Sequence, residues 1–459
     1  MKTTLAPKIF AMLLAIAWLS TLAPAAETSR ADASTYQGWK TLRLANPLIE
    51  LQILPEIGGR IIQFKLGDRE FLWVNPQLAG KFPQPNGLSA EGGWFNIGGD
   101  KLWPAPQGWD NDQQWPGPPD AVLDGQPYEC ETLAPEQPGE MAVRLTSRDD
   151  PRSGIRFSRV IRIFPGSTRV AFEVTMKNID TKPRRWGIWS HTQLDGAKAD
   201  RSSFTPLLQA WCPINPKSKF PKGYQVMFGE QDNPSFEADK ERGLVHVRYQ
   251  YKVGKIGIDS PAGWSATVNG ETGAVFVQRF VFEPEKPYPD ESSVEFWLNG
   301  TGRIHAYNKD IVMPENTVEN PYMFESEILS PFAALKPGQS YSWRYDWYAT
   351  QICGDFPVLD CSDIGVTAEP LRAKIEGGKT HLTGRFGVFA PGTVRAEFSD
   401  AKGALLTSQD LPLTASPLQA LVIKNSLDTP ASATSVKVLW IGADPKSQGP
   451  LAEAKLTEQ

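Results

Sequence analysis

The chain has 459 residues and a formal net charge of −5. That balance offers no basic face for a polyanion and so argues against nucleic acid as a partner. Glycine and proline number 39 each and are spread along the chain, which suits many short strands joined by turns. Met1, Lys2 and Lys8 precede an apolar run, Ile9 to Leu22, which ends at Ala23-Pro24-Ala25. This is the layout of a cleavable signal peptide covering residues 1–26, and its apolar core is too short to anchor in a bilayer. The expected location is periplasmic or secreted. The mature chain would hold about 430 residues, enough for two or three domains or for one large β domain with a small one.

In chain order, the strand signals begin with Ile49, Leu51 and Ile53, followed by Gly58-Gly59 and then Ile62, Phe64 and Leu66. Gly67-Asp68 turns the chain into Glu70–Val74. From Gly87 to Tyr128 the chain carries Trp94, Trp103, Trp109 and Trp115 among glycines and prolines, with little strand periodicity. This reads as a structured loop over the body of the fold, because its aromatic content argues against disorder. Ile155–Ile163 and Val170–Met176 alternate apolar and polar residues around a Pro165-Gly166-Ser167 turn, giving two half-buried strands. Val275 to Phe282 is a further strand, and Trp343, Trp347 and Tyr348 close an aromatic-rich one. No long amphipathic helix is evident. The fold class is mainly β, with a large antiparallel sandwich at residues 36–350. A cysteine loop or linker occupies 351–363, and a small immunoglobulin-like β domain 364–459, with strands at Val394–Phe398 and Val436–Trp440 and a hairpin turn at Asp400–Gly403.

Four cysteines in an oxidising compartment suggest two disulfides. Cys353 with Cys361 is the first choice, which leaves Cys130 with Cys212. Their spacing matches no zinc pattern and histidines are few, and no metal or other cofactor is expected.

Three segments carry candidate chemistry: Pro55-Glu56-Ile57-Gly58-Gly59-Arg60-Ile61-Ile62, Trp189-Ser190-His191-Thr192-Gln193-Leu194-Asp195-Gly196, and Tyr322-Met323-Phe324-Glu325-Ser326-Glu327-Ile328-Leu329. Taken singly they are ordinary: a turn with an arginine, a lone strand histidine, two surface carboxylates. Glu325 and Glu327, two apart on a strand, point to one face. Taken together and in this order, they resemble the galactose mutarotases (aldose epimerases). "Gly-Gly-Arg-Ile" is similar to the opening strands of that family, "Ser-His-Thr-Gln-Leu-Asp-Gly" to its catalytic-histidine segment, and "Phe-Glu-Ser-Glu" to the motif holding its catalytic base. Leu335-Lys336-Pro337-Gly338 is similar to its closing strand turn. The resemblance covers roughly residues 36–350. "Gly-Gly-Asp-Lys-Leu-Trp-Pro" at Gly98–Pro104 further resembles an uncharacterised bacterial domain family within the same superfamily.

The resemblance implies a galactose mutarotase-like β-supersandwich that takes a mono- or oligosaccharide in a concave pocket. His191 would be the acid and Glu325 the base for ring opening, which needs one proton delivered and one removed. Arg60 would hold hydroxyls or a carboxylate, Asp100, Lys101, Gln193 and Glu327 would be further substrate contacts, and Trp103 or Trp109 would stack on the sugar. The second histidine of the mutarotases has no counterpart ahead of His191. An exported carbohydrate-binding protein is therefore the leading expectation, with an aldose-1-epimerase-type isomerase as the alternative. A polysaccharide lyase or hydrolase ranks below both, because sandwich lyases usually carry a helical domain ahead of the sandwich and no helical block is evident here.

Overall fold

The computed structural model describes residues 29–82, 95–108, 117, 120–306, 309–316, 318–444 and 447–458. The signal-peptide segment and Trp94, Trp109 and Trp115 lie outside the described residues. Among the described residues no helix is long and apolar enough to cross a membrane.

Two large antiparallel sheets dominate. The spatial order of the first is Arg30–Tyr36, Trp39–Ala45, Ile49–Leu54, Arg60–Leu66, Asp100–Ala105, Arg184–Asp195, Met323–Leu329, Val294–Leu298, Gly254–Ile258 and Gln225–Gly229. The second contains Leu208–Pro213, Trp264–Asn269, Ala274–Phe280, Ser340–Gln351, Val170–Asn178, Ile155–Ile163, Met141–Thr146 and Glu129–Leu133, with two short strands beyond Leu208–Pro213. The sheets pack face to face through alternating apolar side chains. Phe64 of the first meets Phe276 and Trp347 of the second at ring-centroid distances of 6.1 and 5.8 Å. Each such buried aromatic contributes about 1.5–3 kcal/mol by leaving water.

The period-two readings correspond to strands. Val170 pairs with Ile163 across the Pro165-Gly166-Ser167 turn, and the register runs to Asn178 opposite Ile155. The stretch Glu70–Val74 departs from expectation. Only Arg69–Glu70 forms a strand, and Leu72 and Val74 make single bridges to Leu194 and Gly98. The larger correction concerns Gly87–Tyr128. Within it, Asp100–Ala105 is a central strand of the first sheet, between Arg60–Leu66 and Arg184–Asp195. All six of its residues are buried, so it lacks the alternation that marks a strand with one wet face.

Gly98 and Gly99 bring the chain into that strand. Gly99 has φ +78°, and a Cβ there would stand 2.4 Å from the Ile61 carbonyl oxygen. Its N–H donates to Trp73 O and its carbonyl accepts from Gln193 N. Gly99→Ala is expected to lower stability by about 1–3 kcal/mol through backbone strain alone. A falling denaturant midpoint with unchanged slope is the measurement; an unchanged midpoint would mean that the turn relaxes without cost.

The expected disulfides are absent, and all four cysteines are free. Cys130 and Cys212 sit on strands of the second sheet with six strands between them. At about 4.8 Å per strand they are about 34 Å apart, far beyond disulfide reach. Cys353 is exposed at a turn, whereas Cys361 is buried beside Val366 and Phe389.

Residues 360–458 form a third, eight-stranded sheet with its own core of Phe386, Val394, Phe398, Val436 and Trp440. Asp400 organises the hairpin turn there, its carboxylate accepting from the Lys402 and Ala404 N–H groups.

Candidate functional site

The outer face of the first sheet carries a cavity of about 600 Å³. Strand alternation builds its floor. On Arg184–Asp195, Trp189 and His191 point outward, while Ser190 and Thr192 point inward and donate to Asp100 Oδ1 at 3.2 and 2.7 Å. On Met323–Leu329, Met323, Glu325 and Glu327 point outward, and Ser326 points inward to Gln278 of the second sheet. Trp103 comes from the strand on one side of these two, and Trp297 and Lys255 from the two successive strands on the other, all on the same face.

His191 and Glu325 meet at the centre of this floor. His191 Nε2 lies 3.0 Å from Glu325 Oε2. Gln193 Nε2 donates to Glu325 Oε1 at 2.8 Å, and the Trp103 ring packs on the imidazole with centroids 4.2 Å apart. Glu327 accepts from Trp189 Nε1 at 2.7 Å and from Lys255 Nζ at 2.9 Å, and Lys255 also reaches Glu295 at 2.6 Å.

Burial sets the protonation pattern. It pushes His191 down to about 3, helped by the Lys101 and Lys255 charges. Glu325 is raised, again by burial, against the pull of Gln193, Lys101 and Lys255. Lys101 falls to about 8, through burial and the nearby Arg60. Burial alone would lower Lys255, but Glu295 and Glu327 hold it above the usual lysine range. At neutral pH the floor therefore holds a neutral imidazole, against a carboxyl group that burial makes a weaker acid than an ordinary glutamate.

His191, Glu325 and Glu327 could also be read as metal ligands, since their donor atoms lie within 4.8 Å of one another. The Lys255 ammonium already bonds Glu327 there, and a dication would have to displace it or sit beside it. The donor set fits a lysine-neutralised floor better than a cation site.

Of the residues expected from sequence, His191, Glu325, Glu327 and Trp103 line the cavity, and Gln193 supports Glu325. Lys101 shares the strand face of Trp103 but is fully buried, its Nζ 4.9 Å from the Trp103 ring centroid. Two expected sugar contacts are corrected. Arg60 is a buried clamp that donates to the Ile57, Gly98 and Asp124 carbonyls at 2.7–2.9 Å, holding the Gly98-Gly99 turn. Asp100 faces the inter-sheet core and pairs with Arg159 Nη2 at 2.5 Å. Trp109 lies outside the described residues. Sequence reasoning missed Trp189, Lys255, Glu295 and Trp297. For Lys255, Glu295 and Trp297 the signal was a charged or aromatic residue on the outward phase of a strand whose inward phase is apolar, Ile256 and Ile258 in one case and Val294, Phe296 and Leu298 in the other.

A family model described as Domain of unknown function (DUF4380) matches residues 39–350, which contain every floor residue named above. The chain belongs to the DUF4380 family. No curated protein matches it in sequence. In structure, this DUF4380 chain is similar to a galactose mutarotase-like protein from Clostridium acetobutylicum, at 11% identity and TM-score 0.41, over 71% of this chain and 99% of that one. It is similar to a putative aldose 1-epimerase from Klebsiella pneumoniae at 14% identity and TM-score 0.44, over 71% of this chain and 84% of that one. It is also similar to a TPR-domain containing protein from Parabacteroides distasonis at 13% identity and TM-score 0.45, covering 70% of this chain but 48% of that one.

Proposed function

We propose that this cavity binds a reducing sugar and that the His191–Glu325 pair interconverts its anomers, in a protein exported by its N-terminal apolar segment. The observation that carries the reading is the 3.0 Å contact between a buried imidazole and a buried carboxyl group on a tryptophan-framed floor. Ring opening breaks the C1–O5 bond and moves two protons on oxygens attached to one carbon. An acid and a base side by side suit that geometry, and the sugar's O5–C1–O1 edge replaces their direct bond.

The directions of the two shifts favour the reverse of the roles expected from the sequence resemblance. A carboxyl group raised by burial is the acid, and an imidazole neutral down to about 3 is the base. Glu325 delivers its proton to O5 as C1–O5 breaks, and His191 Nε2 takes the O1 proton as the C1–O1 double bond forms. When the open chain recloses on the other face of C1, the carboxylate takes its proton back from O5 and the imidazolium returns its proton to O1. Lys101 and Lys255 favour the transient carboxylate.

A second reading, a binding protein without turnover, is favoured by the ties that make the pair part of the floor, the Gln193 bond to Glu325 and the packing of Trp103 on His191. Thermal shift over a panel of reducing sugars, uronic acids included, followed by anomer exchange in NMR, separates the two. Stabilisation with exchange supports catalysis. Stabilisation without exchange supports binding alone, and no stabilisation by any sugar overturns both.

A further inference from the structure

The aromatic groups of the floor stand on both sides of the His191–Glu325 pair. Trp103, His191, Glu325 and Trp297 occupy four successive strands. Trp297 is in direct register with Glu325, and Trp103 with Trp189. Trp103 and Trp297 are three strand spacings apart, about 14 Å across the sheet, and because Trp103 is level with Trp189 and Trp297 with Gln193 they are also about 13 Å apart along it. One pyranose ring centred on the pair cannot cover both.

The two indoles are also held differently. Trp103 is 3% exposed and is packed on His191. Trp297 is half-buried and lines the cavity. Its indole N–H donates to Asn299 Oδ1 at 2.8 Å, and Phe228 packs edge-on at 5.7 Å, which fixes the ring plane. Ile304 and Met313, from the hairpin Gly302–Ala306 and Lys309–Met313, close that side. Asn299 and Glu319 sit among these apolar groups in the cavity wall. Apolar faces interleaved with polar groups suit a hydroxylated ring, with its C–H faces and rim of hydroxyls, better than an aliphatic chain. The cavity, about 600 Å³, is of the size that holds ligands larger than a single hexose.

We infer that Trp297 is the platform of a second sugar subsite, and that the substrate class is a reducing oligosaccharide of at least two rings. This rests on the assignment of the cavity to a reducing sugar. The reducing ring lies over His191 and Glu325, because only that ring has an anomeric hydroxyl. The next ring, joined through a non-anomeric oxygen of the first, stacks on Trp297. A glycoside substituted at C1 binds without reacting.

The test compares anomer exchange by NMR for glucose with cellobiose and maltose, and for galactose with lactose, in wild type, Trp297→Ala and Trp297→Phe. At least one disaccharide is expected to exceed its monosaccharide in kcat/KM by about ten-fold, the order of effect of burying one aromatic face. Trp297→Ala removes most of that preference, while Trp297→Phe retains part of it. Equal or better use of the monosaccharides, or an equal loss for both classes in Trp297→Ala, overturns the subsite. Calorimetric binding of the same disaccharides separates this from a failure of the catalytic reading. Binding that depends on Trp297 without exchange keeps the subsite and removes catalysis. Exchange that does not depend on Trp297 keeps catalysis and removes the subsite.

Discussion

His191→Asn and Glu325→Gln are each expected to lower anomer exchange by about 10²–10⁴-fold, the usual contribution of a positioned acid or base. Both replacements keep a polar group of similar shape on the floor, so the thermal unfolding transition serves as the control for folding. The double variant should fall little below the worse single one, because the two groups act as one unit. The pH profile is the sharper readout. An ordinary histidine protonates near 6.5 and an acid limb would appear there. His191 is held down to about 3, so activity persists as pH falls through 6.5 and is lost only as the imidazole finally protonates. On the basic side, activity falls as Glu325 loses its proton, at a pH above the ordinary glutamate range because burial raises it. An acid limb centred near 6.5 would sink the assignment of His191 as base, as would full activity in either variant.

Arg159→Met is expected to cost about 3–5 kcal/mol of stability, the range for stranding one member of a buried ion pair. Arg159 and Asp100 are both about 1% exposed or less, and their contact at 2.5 Å lies between the two sheets. The guanidinium also donates to Tyr345 Oη at 2.8 Å and lies over the Phe172 ring. The single variant leaves the Asp100 carboxylate in the core with only the Ser190 and Thr192 hydroxyls. Asp100→Asn combined with Arg159→Met should recover part of the loss, since a buried amide is far less costly than an unpaired charge. Denaturant midpoints of the four proteins complete the cycle. If the double variant is as unstable as the sum of the singles, the two residues are not energetically paired. Because Asp100 anchors the residues on either side of His191, the single Arg159 variant should also reduce exchange.

Much of the sandwich was legible because one wet face writes a period of two into the sequence, as at Ile155–Ile163 and Val170–Met176. The strand Asp100–Ala105 was not legible, because burial on both faces removes the alternation and Pro104 argues against a strand. His191 and Glu325 were found through family-like motifs, and their adjacency follows from a register that pairs Gln193 with Glu325. Arg60 and Asp100 were misplaced for one shared reason. A charged residue in a strand says that it has a partner, and sequence alone does not say whether that partner is a ligand or the protein itself. Arg60 satisfies backbone carbonyls, and Asp100 satisfies an arginine 59 positions away in the chain. Trp297 and Lys255 were overlooked because they come from strands far from any motif, and only the sheet order brings them to the same floor.

The His191 strand lies between strands contributed by much earlier and much later parts of the chain: Asp100–Ala105 on one side and Met323–Leu329 on the other. Such non-local pairing closes slowly during folding, because long loops must be ordered before their contacts are made. During synthesis the histidine therefore emerges long before its carboxyl partner. Until Met323–Leu329 arrives, one edge of its strand is open to pairing with other chains. A prematurely terminated product would carry half of the couple and an adhesive edge, so an assembled His191–Glu325 pair is a mark of a completed first sheet.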